Sequence, residues 1–169
     1  MKAKLIINDQ ELEVEISEEE YKKLQTTKKK KTGYERVKHD ETYYSTSWVG
    51  TVGTNREVYD KIDDESYKIA NYYSSREVAE NNARADKLMR QLRRFAAEHR
   101  KDVIDWSDFN QYKYYVVYDY EDARIYVDCI CYCSRFGSIY FNSKETTQLA
   151  IDTFHDELIW YFTEYKDSL

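Results

Sequence analysis

No stretch of apolar residues in this chain approaches the roughly 18 needed to span a bilayer. The opening residues, Met1 to Ile16, break their apolar positions with charge every few residues, unlike the continuous apolar centre of a secretory signal. Together these absences predict a soluble protein acting in a cytoplasm. Cysteine is also scarce: Cys129, Cys131 and Cys133 are an odd number crowded into five residues, which is no disulfide framework. A Cys-x-x-Cys pair is missing, so the thiols lack the spacing of a structural zinc site and read as small hydrophobes on one inward strand face. Proline is absent and glycine occurs four times, while Tyr, Lys, Asn, Ile, Asp and Glu abound, the bias of an AT-rich genome. The signatures G-x-G-x-x-G, Walker A, G-x-S-x-G and H-E-x-x-H are all missing. His39, His99 and His155 have no motif around them and read as structural. The expectation is a non-enzymatic protein with no cofactor, no catalytic residue and no metal ligand.

What is present is charge in blocks. The formal net charge is -6, yet residues 28–32 carry +4 and residues 76–101 carry +4, against -8 over residues 102–169. Any claim of anion binding therefore rests on two local islands in an acidic protein. The first island, Thr26 to Thr32, contains no apolar residue and reads as a linker. It divides the chain into an N-terminal ββα appendage (1–27), the basic linker (28–32) and a main α+β domain (33–169).

Within the appendage, Lys2–Ile7 and Glu11–Ile16 read as strands about Asn8 and Asp9, and Ser17 with Glu20 has the spacing of a capping box. The main domain repeats itself. Tyr72–Glu77 reads YYSSRE and Tyr140–Glu145 reads YFNSKE, each an aromatic strand end, a cap and the first turn of a helix. The pseudo-repeats run over about 33–101 and 102–169. In the first, strands are expected at Tyr34–Val37, Tyr43–Val49 and near Tyr67–Tyr73, with a glycine turn over Gly50–Asn55. A helix follows over about Arg76–Arg100, capped by Ser74 with Glu77 completing the box. Its positions Val78, Ala85, Leu88, Met89, Leu92, Phe95 and Ala96 fall within about 60° of Leu92 on a helical wheel. In the second, Tyr112–Tyr120 and Arg124–Cys133 form a hairpin, and Ile139–Phe141 leads to a helix capped by Asn142. Thr147, Ala150, Phe154, Leu158, Tyr161 and Tyr165 give that helix its apolar stripe. The pattern predicts an antiparallel sheet with two amphipathic helices on one face.

Two sets of residues are candidates for binding. Arg76, Lys87, Arg90 and Arg94 share the outer face of the long helix, and with Lys28, Lys29, Lys30 and Lys31 are the nucleic-acid candidates. The other set follows from 18 tyrosines, too many for a core fed by alternating strand positions, so that some must line an open face. Tyr43, Tyr44, Trp48, Tyr126 and Tyr132, with Asp152, Asp156 and Trp160 on the last helix, are the protein-binding candidates. The opposite charges of the two helices also leave room for a homo-oligomer.

The runs GYERV, YYSSREVAE, LRRFAAEH, IDWSD, QYKYYVVYDY and IYFNSKE resemble small accessory proteins of phages, prophages and plasmids in low-GC Gram-positive bacteria. That resemblance covers most of the chain and implies a mobile-element protein of the counter-defence type. It would bind and inhibit a host protein inside the bacterial cell, such as the CRISPR-Cas nuclease Cas9. The alternative is a small nucleic-acid-binding accessory protein using the basic helix face.

Overall fold

A computed structural model of the protein describes residues 2–7, 10–19 and 31–165. The chain forms two compact units, Met1–Thr32 and Gly33–Leu169. In the first, β1 (Lys2–Ile7) pairs antiparallel with β2 (Gln10–Glu15), Leu5 opposite Leu12. Glu20, Lys28, Lys29 and Lys30 lie outside the described residues, and with them the expected capping box and most of the basic linker.

The second unit is α+β and is built from two strand-to-helix modules. In the first module β3 (Thr42–Thr46) pairs antiparallel with β4 (Val52–Arg56). Helix α1 (Lys61–Lys68) and the long helix α2 (Arg76–Glu98) follow. In the second, β5 (Lys113–Asp119) pairs antiparallel with β6 (Arg124–Ile130), and α3 (Lys144–Thr153) and α4 (His155–Trp160) follow. The chain then widens into a π turn over Tyr161–Tyr165. The expected sheet is realised as separate two-stranded ribbons, each widened by one bridge. Tyr44 exchanges both backbone hydrogen bonds with Tyr73 (2.8 and 2.9 Å), and Tyr114 does the same with Phe141 (2.9 and 2.8 Å).

Two residues after each bridge a serine starts the helix. Ser75 Oγ accepts from the Val78 amide at 3.4 Å, and Ser143 Oγ accepts from the Thr146 amide at 3.1 Å. The caps thus fall one residue beyond Ser74 and Asn142, because those side chains have other partners. Ser74 Oγ donates to Glu35 (3.1 Å), and the Asn142 side-chain oxygen accepts from the amides of Lys101 and Asp102. Glu77 and Glu145 consequently sit one position short of closing a capping box.

Three other expectations are corrected. Residues 61–68, which take in the start of the strand expected near Tyr67–Tyr73 and reduce it to the bridge at Tyr73, form a helix with a reciprocal capping box between Asp60 and Asp63. Its inward group is the carboxylate of Asp63, while Ile62, Tyr67 and Ile69 are exposed, so no apolar stripe announces it. Val52–Arg56 is a strand; the turn lies at Ser47–Thr51, where Gly50 takes φ +85°. Tyr34–Val37 forms no strand and instead links neighbours: Tyr34 Oη accepts from Asn82 (2.8 Å) and the Val37 amide donates to Tyr72 Oη (3.3 Å). Gly33, at φ +87°, lies so close to α2 that a Cβ there would fall 2.6 Å from Val78 Cγ2.

Leu88, Leu92 and Ala96 of α2 form the core with Phe141, Ala150, Ile151 and Leu158, and Phe95, Val116 and Val127 pack around them. The long helix has a second buried side. Ala79 and Ala83 are buried although they point about 140–180° from Leu92 on the wheel. Arg76 and Arg90 share that direction, and the Arg90 guanidinium lies 3.4 Å from where a Cβ on Gly50 would stand. Hairpin β3–β4 thus runs along the small-residue side of α2, while α3 and the π turn pack elsewhere on the same helix.

Candidate functional site

Behind the first hairpin lies a buried polar network that fixes its position. Glu57, wholly buried just past β4, accepts from Arg36 Nε (3.0 Å) and Nη2 (3.1 Å), from Tyr72 Oη (2.6 Å) and from the Tyr59 amide (2.8 Å). Asp63 accepts from Tyr43 Oη (2.7 Å) and the Val58 amide (2.8 Å). The rings of Tyr43 and Tyr72 stack at 4.0 Å. Arg36 holds the Glu57 carboxyl below the usual carboxylate range. For Asp63 burial works the other way, but the Val58 amide and the Tyr43 hydroxyl outweigh it and its pKa is also lowered. Burial, then the Asp63 hydrogen bond, pushes Tyr43 up to about 12. Among the described residues no buried side-chain polar atom lacks a partner, so this network braces the hairpin.

The bracing ends in an exposed tip. The Ser47 amide donates to Thr51 O (2.8 Å), the Gly50 amide to Ser47 O (2.9 Å), and the two hydroxyls Ser47 Oγ and Thr51 Oγ1 lie 2.7 Å apart. On this closed turn Trp48 is 95% exposed.

The basic stripe is divided. Arg76 pairs with Glu80 (2.8 Å) and Arg94 approaches Glu98 (3.6 Å), whereas Lys87 and Arg90 are in no ion pair among the described residues. Lys31 is exposed. Asp152 and Asp156 are exposed, Asp152 accepting from Gln148 (2.9 Å) and Asp156 lying 3.2 Å from His155 Nδ1. Part of the expected charge complementarity is satisfied within the chain: Arg84 pairs with Glu157 at 2.8 Å and lays its guanidinium 3.9 Å from the centre of the Trp160 ring.

Trp160 is therefore buried, at 6% exposure, which removes it from the binding candidates. Tyr43, at 3%, is removed for the same reason: its ring and hydroxyl are engaged beneath the hairpin. Tyr44 is half-buried, and its backbone bridges to Tyr73. Trp48, Tyr126 and Tyr132 are exposed, Tyr126 beneath the Arg124 guanidinium at 5.8 Å.

A second surface forms where β5 begins and β6 ends. Lys113 is wholly buried, and its Nζ donates to the backbone oxygens of Asp108 (2.7 Å) and Cys131 (3.2 Å). That one ammonium ties the loop before β5 to the segment after β6. Phe109 and Tyr112 of the loop and Tyr132 and Phe136 of the segment are all exposed. Sequence reasoning named only Tyr132 of the four; the available signal was a lysine set between aromatics at the start of a strand. Tyr115 Oη donates to Asp128 (2.8 Å), and burial with that bond pushes its pKa to about 12.

Cys129 and Cys133 are exposed and Cys131 is half-buried, so the thiols do not pack inward as expected. The strand ends at Ile130, and its inward alternation stops after Val127. No group of three or more metal-binding side chains occurs among the described residues. An open apolar groove of about 460 Å³ adjoins this end, lined by Met89, Leu92, Val116, Phe136, Ile139 and Tyr161. Among the described residues no helix is long and apolar enough to cross a membrane. No protein-family model, curated protein or solved structure matches the chain.

Proposed function

We propose that this is a non-enzymatic protein that docks on another protein through the aromatic end of its second hairpin. The observation that supports it is that Phe109, Tyr112, Tyr132 and Phe136 are all exposed on the two segments that the buried Lys113 ties together. Each large side chain held in water forgoes about 1.5–3 kcal/mol of burial, and aromatic side chains are frequent anchors of protein contacts. On the resemblance to accessory proteins of phages and plasmids, the partner is a host defence protein such as the nuclease Cas9. The chain would inhibit it by occupancy in the bacterial cytoplasm.

The test has two layers. Purified chain is added to guide-loaded Cas9 and DNA cleavage is followed, expecting inhibition at equimolar ratio that is lost when Phe109, Tyr132 and Phe136 are replaced by Ala together. Undiminished cleavage excludes this partner. If, in addition, no stoichiometric host protein co-purifies with the wild-type chain in preference to the triple variant, the docking reading itself fails.

A further inference from the structure

The face made by β3–β4 and the middle of α2 differs from the rest of the molecule in its charge. The chain carries 32 acidic residues among 169, yet residues 42–56 and residues 87–97 contain none. Arg56, Lys87, Arg90 and Arg94 stand on these segments, with only distant or exposed partners for Arg56 (Asp40, 3.9 Å) and Arg94 (Glu98, 3.6 Å). The contact of Arg90 with the turn at Gly50 sets a guanidinium two residues from Trp48.

Trp48 itself stands unlike a protein anchor. Its neighbours about the turn are Ser47, Val49, Thr51 and the half-buried Val52, so its exposed rim is a single valine among hydroxyls. A flat ring open to water, fixed on a hydrogen-bonded turn that the Arg90 guanidinium approaches at Gly50, matches an unpaired base stacking while its phosphates meet Arg90 and, one turn back on the helix, Lys87, whose other side borders Asp152, Asp156 and Glu157. A base inside a duplex offers no face for such stacking.

We propose that this face binds single-stranded nucleic acid, with Trp48 as the stacking platform and Arg90 and Lys87 as the phosphate contacts. It is a surface distinct from the aromatic end of the second hairpin and does not depend on the protein-docking reading.

The experiment titrates the full chain with fluorescently labelled, unstructured oligothymidine and oligouridine, following anisotropy of the label and quenching of tryptophan emission. Binding is expected to weaken about 10-fold in Trp48→Ala. Arg90→Glu should weaken it further, and log K should fall with log salt with a slope of about -1.4, as for two phosphate contacts. Because Trp48 lies in water, its replacement leaves the fold intact, which unchanged circular dichroism checks. A variant with Lys28→Ala, Lys29→Ala, Lys30→Ala and Lys31→Ala should keep the Trp48-dependent quenching. The proposal is overturned if the oligonucleotides fail to bind at low salt, if Trp48→Ala binds them as well as the parent, or if the four-lysine variant alone abolishes binding. It is equally overturned if polyglutamate displaces the oligonucleotides as readily as unlabelled oligothymidine, which would assign the face to an acidic protein.

Discussion

Replacing Ala79 by leucine should destabilise the protein by about 1–3 kcal/mol, the usual cost of forcing extra methyl groups into a closed contact. The alanine is completely buried, and the hairpin β3–β4 runs along its side of α2. On helix propensity alone the same change is nearly neutral, since leucine follows alanine closely in the ranking. Ala97 provides the matched control: eighteen residues on it points in the same direction from the helix axis, but it is exposed. Ala97→Leu should therefore stay within about 0.5 kcal/mol of the parent. For a chain of this size the Ala79→Leu loss corresponds to a fall in Tm of about 2–12 °C, well resolved by thermal or urea unfolding followed by circular dichroism. If the two leucine variants melt alike, the hairpin does not lie against that side of the helix. The placement of Trp48 beside Arg90 would then fall with it.

Two further outcomes follow from buried and exposed groups. Glu57 has its pKa lowered from 4.5 by Arg36, so the stability it contributes is complete above that value and is lost as pH falls through the lower folded-state value. The gap in urea midpoint between the parent and Glu57→Gln should therefore be widest near neutral pH and narrow below about pH 4.5, and a gap constant with pH would contradict the ionised pairing. Cys129 and Cys133 should react with a water-soluble thiol reagent in the folded protein, assigned by single Cys→Ser variants, with Cys131 slower. Protection of all three until the chain is denatured would return them to the core.

The second hairpin was the most legible part of the sequence, because alternating residues on both sides of Glu121 and Asp122 specify strands, turn and register together. The repeated strand-to-helix junction was legible too, although the sequence pattern places its cap one residue early. The letters Ser74 and Ser75 are equivalent as caps, and only the tertiary contact of Ser74 with Glu35 decides between them. Helix α1 was hidden because it is anchored by the carboxylate of Asp63, and hydropathy patterning has no term for a buried acid. The second side of α2 was hidden because alanine weighs little in a hydrophobic stripe while still permitting close approach. The candidate site was half legible. An excess of tyrosine predicts some exposed aromatics, but the choice between Tyr43 and Trp48 depends on which side of one hairpin meets α1 and α2.

Among the described residues strand β6 has a strand neighbour on one side only. Since Tyr114 directs its amide and carbonyl to Phe141, its cross-strand partner Cys129 must direct its own the opposite way, along the open margin. There the Asp128 carboxylate already accepts the Cys129 amide at 2.8 Å, and the same side chain holds Tyr115. A stray polypeptide trying to lengthen the ribbon meets a negative charge on an occupied rung, so the molecule carries its own guard against fibril-like growth at that border.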